Sequence, residues 1–398
     1  MSHTHILLAI AALSLASASS AELSNYSLLD SRILLQGRYL ATPGHTILAD
    51  IELFSLSFAV SNASAILLQL RDGTAGGARL AVTLDTRVNT TATAWQDPNP
   101  SGSAMPGLRV ATLLTSPHVP LYNLGSGGQV RGLTLLVTVT LLSEWEMIGG
   151  EPGSALEFLG ISTDGQLLGP PAAPLRPTRR LAVLGDSLSS GVGCGFDTSP
   201  GVPCGAGIAQ DDASATWGAL LCAHFGAECE VVAGSGITLM ADASYNLPLV
   251  FPNALGAMAR WPAGQRVRWD FAAHPVDAAL VELGENDCHA LNCSSPADLQ
   301  RIAQGYVALV QQLGGYYGKA LPIFLAIANH EAGQSQAMQL AIPQLAAQGF
   351  SVAFLNATAP DILGNVSIDT GCAGHPSAAQ QRYSAQRAQA VLAQALHW

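Results

Sequence analysis

Apolar and polar positions follow two different rhythms along this chain. Between Arg32 and about Ile161 the apolar residues come in short runs: Ile47–Glu52, Phe54–Val60, Ala65–Arg71, Leu80–Asp85 and Leu133–Leu142. Within Phe54-Ser55-Leu56-Ser57-Phe58 they alternate, as a half-buried antiparallel strand requires. Gly, Asn, Asp and Pro separate the runs, and no helical period intervenes. The pattern predicts an all-β sandwich or jelly roll of about 130 residues.

From Arg179 onward the rhythm changes. Strands are predicted at Leu181–Leu184, Glu230–Ala233, Ala278–Leu283, Pro322–Ala328 and Val352–Leu355. Helices are predicted over Ala213–Phe225, Ala297–Leu313, Gln334–Gln348 and Ala378–Leu396. Strands alternating with helices imply an α/β domain, a parallel sheet with helices on both faces. Between the two regions, Gly169-Pro170-Pro171, Pro174 and Pro177 make a stiff linker. The expected organisation is a signal peptide over 1–21, an all-β domain over 30–164, a linker over 165–178 and an α/β domain over 179–398.

Composition narrows the setting. The 398 residues suffice for two or three domains. Only 11% are charged and 49% are hydrophobic, which argues against disorder. With 17 Lys+Arg and a net charge of -11, the chain carries no electrostatic footprint for nucleic acid or an anionic membrane. Ile6–Leu15 is a short apolar run followed by small residues at Ala16-Ser17-Ala18 and Ser19-Ser20-Ala21, the pattern of a cleaved secretory leader. Asn25, Asn62, Asn89, Asn292, Asn356 and Asn365 each head an N-x-S/T triplet. The cysteines suggest three short-loop disulfides, Cys194 with Cys204, Cys222 with Cys229 and Cys288 with Cys293, leaving Cys372 over as a buried small hydrophobe. No Cys/His spacing resembles a zinc site, so no metal or other cofactor is expected.

The chemistry-bearing residues gather at strand ends. The first α/β strand runs into Gly185-Asp186-Ser187-Leu188, a tight turn that sets the Ser187 hydroxyl at the strand's C-terminal end. In open α/β sheets ligands bind at that edge. The next strand leads to Ser235-Gly236 and the third to Gly284-Glu285-Asn286-Asp287; Gly374-His375-Pro376 precedes the last helix. Each piece has an ordinary structural reading. Ser187 could cap a helix, Gly236 and Asn286 could shape turns, and His375 could be a surface residue. Together they supply a nucleophile, a base and oxyanion donors on one sheet edge. His330-Glu331 begins like the H-E-x-x-H of a metalloprotease, but Gln334 stands where the second His should be, so that reading is rejected. Asp287 is read as shaping its loop.

The order and spacing of these blocks resemble the SGNH (GDSL) hydrolases. The resemblance implies that Ser187 is the nucleophile and His375 the general base. It also implies an oxyanion hole made by the Ser187 and Gly236 N–H groups and the Asn286 side chain. There is no G-x-S-x-G elbow around Ser187, which sets the chain apart from ordinary α/β-hydrolases. A β domain ahead of the hydrolase resembles carbohydrate esterase family 2. So do Gly37-Arg38, Glu157-Phe158-Leu159-Gly160 and Gly371-Cys372-x-Gly374-His375-Pro376-Ser377. That resemblance implies a jelly roll before the SGNH domain and a secreted acetyl esterase acting on acetylated polysaccharide. Two positions depart from the pattern. Cys372 stands three residues before His375, where these hydrolases usually carry Asp, and Gly234 stands where the esterases often carry Trp. A Ser–His dyad oriented by a backbone carbonyl is therefore expected, with Asp369 as the other possible third member. Two further functions fit the same residues: hydrolysis of longer acyl esters, and non-catalytic glycan binding by a vestigial hydrolase fold.

Overall fold

The structure is a computed structural model; it describes residues 23–49, 52–71, 79–85, 108–113, 118–123, 134–143, 156–169, 177–194, 211–240, 257–260, 266–328, 332–358 and 371–398. The first unit contains β1 (Ser24–Tyr26), β2 (Leu34–Gln36), β3 (Leu40–Ala41), β4 (Ile47–Ala49), β5 (Ser55–Ser61) and β6 (Ala65–Arg71). It continues with β7 (Arg79–Asp85), β8 (Leu108–Leu113), β9 (His118–Asn123), β10 (Thr134–Leu141), β11 (Leu156–Thr163) and β12 (Gln166–Leu167). One sheet has the order β3-β4-β11-β6-β9 with β1 on β11; the other has the order β12-β5-β10-β7-β8 with β2 on β5. All these pairings are antiparallel.

Alternation along the strands explains why the two sheets meet. Leu56, Phe58 and Val60 of β5 are buried while Ser55 and Ser57 are half-buried. The same holds for Ile66, Leu68 and Leu70 of β6. Residues from both sheets, Val137, Val139 and Phe158 among them, share one core. Each such side chain contributes roughly 1.5–3 kcal/mol by leaving water. Gln166–Leu167 falls in the expected linker, yet it pairs with Ser61 and Val60. Leu167 is buried, so the sheet claims these two residues before the prolines begin.

The second unit carries a parallel sheet of β13 (Arg179–Gly185), β14 (Ala227–Val232), β17 (Ala278–Glu282), β18 (Ile323–Ile327) and β19 (Val352–Asn356), in the order β14-β13-β17-β18-β19. A separate antiparallel pair joins β15 (Ala257–Arg260) and β16 (Arg266–Arg268). The helices are α1 (Ser187–Ser190), α2 (Trp217–Phe225), α3 (Glu285–Ala290), α4 (Pro296–Tyr317), α5 (Ala332–Ala347) and α6 (Ala378–Leu396).

Period-two alternation on β13 assigns the two faces. Leu181 and Val183 pack with Trp217 and Leu221 of α2 and with Ala385 and Leu392 of α6. Ala182 and Leu184 pack with Ile302 and Tyr306 of α4 and Met338 of α5. The result is a three-layer α/β unit. Side-chain caps start the helices: Thr216 on α2, Ser295 followed by Pro296 on α4, and Ser377 on α6. The Thr216 cap also explains why α2 starts at Trp217 and not at Ala213; Ala213–Ala215 forms a separate 3-10 turn.

Arg38 joins the two units. It leaves the β unit just after Gly37, whose N–H donates to Glu228 Oε1 at 3.2 Å. The Arg38 side chain is fully buried, with its guanidinium 4.6 Å from the Trp269 ring centroid and Nε 3.7 Å from Glu230 Oε1. Burial raises the pKa of Glu230, and the charge of Arg38 opposes that rise. Removing one partner of a buried ion pair leaves the other charge uncompensated. We expect Arg38→Met to lower stability by about 3 kcal/mol in urea denaturation. An unchanged midpoint would show that the two units do not rely on this contact.

Candidate active site

β13 sits second in the sheet, flanked by β14 and β17. This is the 2-1-3-4-5 strand order, and the crevice beyond the strand ends where it reverses is the usual ligand site. Ser187 lies two residues past the end of β13, as the first residue of the single-turn α1. Asp186, not Ser187, is the cap: its Oδ1 accepts from Leu188 N at 3.1 Å. Gly185 is required by close approach, because any Cβ there would collide with the Ser189 hydroxyl.

The segment before α6 is folded back on itself and onto the Ser187 turn. Gly371 N donates to His375 O at 2.6 Å, and His375 N donates to Cys372 O at 3.1 Å. Cys372 N in turn donates to Gly193 O at 3.3 Å, and the Cys194 thiol donates to Pro376 O at 3.3 Å. Gly193 has φ 71°, and a Cβ there would run into the Cys372 backbone. This docking places His375 Nε2 2.8 Å from Ser187 Oγ, within reach for proton transfer.

The loops after β14 and β17 are tied to each other. Asn286 Nδ2 donates to Ile237 O at 3.0 Å, which holds the Asn286 amide against the residue following Gly236. The Asp287 carboxylate accepts from Leu239 N at 2.8 Å and from Met240 N at 3.1 Å. Asp287 therefore shapes the loop, as its place beside Asn286 suggested. Gly236 has φ 73°, a turn conformation that favours glycine. Gln334 points inward, donating from Nε2 to Leu283 O at 2.8 Å. Asp369, His330 and Glu331 lie outside the described residues. Among the described residues, no group of three or more His, Cys, Asp or Glu is arranged to hold a metal ion.

Two of the three expected cysteine pairs form, and Cys194 and Cys372 depart from expectation. Cys222–Cys229 and Cys288–Cys293 are disulfides. Cys194 is a free, buried thiol and Cys372 is disulfide-bonded. The reason is spatial: Cys194 lies beneath the His375 turn, where burial pushes its thiol up to about 12. Sequence reasoning also passed over Glu282, a fully buried carboxyl at the end of β17 that accepts from Ser189 Oγ at 2.7 Å and Trp217 Nε1 at 2.6 Å. Its signal was present as one acid in an otherwise apolar strand.

A parallel sheet of this order with the antiparallel unit ahead of it is a fold shared with solved structures of family 2 carbohydrate esterases. A family two carbohydrate esterase from Cellvibrio japonicus aligns with TM-score 0.71 and 18% identity, over 95% of this chain and 99% of that one. An acetyl xylan esterase from Butyrivibrio proteoclasticus aligns with TM-score 0.73 and 16% identity, over 95% and 99%. A family two carbohydrate esterase from Clostridium thermocellum, in complex with cellohexaose, aligns with TM-score 0.70 and 19% identity, over 92% and 99%. No family model matches the sequence, and no curated protein matches it.

The Asp287 clamp has a direct test. Hydrogen bonds to a charged group are worth about 1.5–3 kcal/mol. In Asp287→Ala we expect amide hydrogen exchange at Leu239 and Met240 to accelerate by roughly tenfold to a hundredfold. Exchange unchanged at both amides would mean the loop is held by other contacts.

Proposed function

We propose that this chain is a secreted serine esterase that removes O-acetyl groups from carbohydrate. The observation that carries this reading is the 2.8 Å contact between His375 Nε2 and Ser187 Oγ at the switch point of the sheet. The fold likeness to carbohydrate esterases supports the substrate class. Cellohexaose in one of those structures supports a carbohydrate partner.

Each residue has a role in the proposed reaction. Ser187 Oγ attacks the acetyl carbonyl while His375 Nε2 takes its proton. The tetrahedral oxyanion accepts hydrogen bonds from the Ser187 and Gly236 N–H groups and from Asn286 Nδ2. The intermediate collapses as His375 returns the proton to the departing sugar hydroxyl. Water, deprotonated by His375, then attacks the acetyl-enzyme; the bond from Ser187 Oγ to the acetyl carbon breaks as His375 returns the proton to Ser187 Oγ, and acetate leaves. A backbone carbonyl orients the imidazole, because Cys372 occupies the place where a carboxylate would serve.

The first unit reads as a jelly roll. If β4 to β11 are renumbered 1 to 8, the two sheets run 1-8-3-6 and 2-7-4-5, as two wound Greek keys require. Secretion rests on the leader-like residues 1–21 and on the sequons. Asn25, Asn62, Asn292 and Asn356 are exposed, whereas Asn89 and Asn365 lie outside the described residues. No helix among the described residues is long and apolar enough to cross a membrane.

Initial rates on 4-nitrophenyl acetate test this reading. Ser187→Ala is expected to be inactive, and His375→Ala to lose roughly a hundredfold to ten-thousandfold. Asn286→Ala should lose about a hundredfold to a thousandfold in kcat. Asp369→Ala should stay near wild type. A wild type inert on every aryl ester would overturn the enzyme reading. A rate that holds steady as the acyl chain lengthens would overturn the acetyl preference.

A further inference from the structure

Beneath the turn that carries Ser187 lies a buried carboxyl that the reaction above does not use. Glu282 ends β17 directly opposite Gly185 in the register of the sheet. Its Oε2 accepts from Ser189 Oγ at 2.7 Å and from Trp217 Nε1 at 2.6 Å. Ser189 is on the same single turn as Ser187, and Trp217 opens α2. The chain beyond Glu282 runs straight into Gly284 and Asn286. One carboxyl therefore binds the nucleophile turn, the loop of the oxyanion donor and the helix behind both.

The Asp186 carboxyl next to it is also fully buried and interacts with it electrostatically. Among the described residues, Asp186 Oδ2 and Glu282 Oε1 each lack a hydrogen bond of normal geometry, although the Ala328 amide approaches Glu282. Two ionised carboxylates offer each other only acceptors. A proton retained on the pair supplies a donor and removes one buried charge. The other titratable groups acting on the pair are Glu285 and Asp287 on α3, Tyr306 on α4 and Cys194, with His375 beyond Ser187. Among the described residues, the charged groups named as acting on the pair are acids, which add to the cost of a second negative charge.

We propose that Glu282 is a positioning residue for the proposed nucleophile, holding the Ser187 turn through Ser189 and Trp217 and holding it best while the Glu282–Asp186 pair retains a proton. This rests on the esterase reading for its catalytic consequence only; the effect on the fold stands apart from it. Burial lifts Glu282 from its ordinary value of 4.5 to about 7, against the two hydrogen bonds that favour its charged form. An acid with a raised folded value binds its proton more tightly when folded. Its stabilising contribution is therefore complete below 4.5 and is lost as pH rises to about 7.

Three variants separate the possibilities. Glu282→Gln keeps an oxygen for Ser189 and Trp217, supplies an N–H in place of the acid proton, and cannot titrate. We expect the thermal midpoint of the wild type to fall between about pH 5 and pH 8 more steeply than that of Glu282→Gln. Equal slopes would overturn the proposed titration whether or not the protein is an esterase. On 4-nitrophenyl acetate near pH 6, Glu282→Ala should lose about tenfold or more in kcat with little change in KM, while Glu282→Gln restores most of it. Should Glu282→Ala fail to fold, Ser189→Ala takes its place: it removes one tether and should lower kcat severalfold at unchanged KM. Wild-type kcat in both Glu282→Ala and Ser189→Ala would overturn the positioning role. A wild type without activity would overturn the esterase reading and leave the stability comparison to decide on Glu282.

Discussion

The site depends on backbone meeting backbone between two segments far apart in sequence. The sheet alone places Ser187, because β13 ends where its turn begins. It does not place His375, which sits on the entry to α6. What brings them together is the docking of Gly371–Pro376 on Gly191–Cys194, through Cys372 N to Gly193 O and the Cys194 thiol to Pro376 O. The first contact requires a residue without Cβ at Gly193. The packing of α6 holds the dock in place: Ala385, Ala388 and Leu392 are buried against the sheet. Gln381 locks the register, accepting from Trp217 N at 2.8 Å and donating to Leu188 O at 2.9 Å. A slip of α6 would move His375 and break both bonds at once.

Around this dock the chain places several acids and few cations, and it treats them differently. Asp287 has two backbone amides aimed at it and serves as a clamp. Asp186 has one, from Leu188, and burial with neighbouring acids holds its carboxyl well above the usual range. Glu230 has a guanidinium nearby, yet burial still raises it. The number and geometry of donors, not the residue type, decide what each acid does. This is why Asp287, Asp186 and Glu230 cannot be assigned one common role.

Where burial follows a simple period, the sequence was readable. Leu181–Leu184 and Pro322–Ala328 are apolar throughout, and Ala278–Leu283 is apolar but for Glu282, because helices cover both faces, while β5 alternates between buried and half-buried positions. The G-D-S-L, G-x-N-D and G-H-P blocks were readable because each sits at a chain reversal with little freedom of composition. Other features were hidden because they depend on packing between distant segments. Cys194 and Cys204 look like partners along the chain, but Cys194 turns under the His375 loop and stays reduced. Gly37-Arg38 stands out in the sequence only by resemblance, and only the fold shows Arg38 buried against Trp269. Strands β8 and β15 are short and lack a strong period. Thr216 ends one turn and starts the next helix, a break that the apolar pattern of Ala213–Phe225 does not reveal.

The β unit is tied into the Ser187 turn and is more than a neighbour to it. Leu142, just past β10, accepts from Ala213 N at 2.9 Å. Arg79 of β7 donates to Asp211 O. The next residue, Asp212, donates from its N–H to Gly191 O at 2.9 Å. Gly191 closes α1, the turn that begins with Ser187. The path from the β sandwich to the serine thus consists of hydrogen bonds onto backbone atoms at the entry to one 3-10 turn. At the opposite seam, Gly37 and Arg38 reach Glu228 and Glu230, two residues apart on β14, the strand that pairs beside β13. An appended binding module would need only a linker and a small contact. This unit instead supports β13's neighbour at one seam and the turn beyond β13 at the other. Changes in the β unit should therefore be felt as geometry at Ser187, even where no β-unit side chain touches substrate.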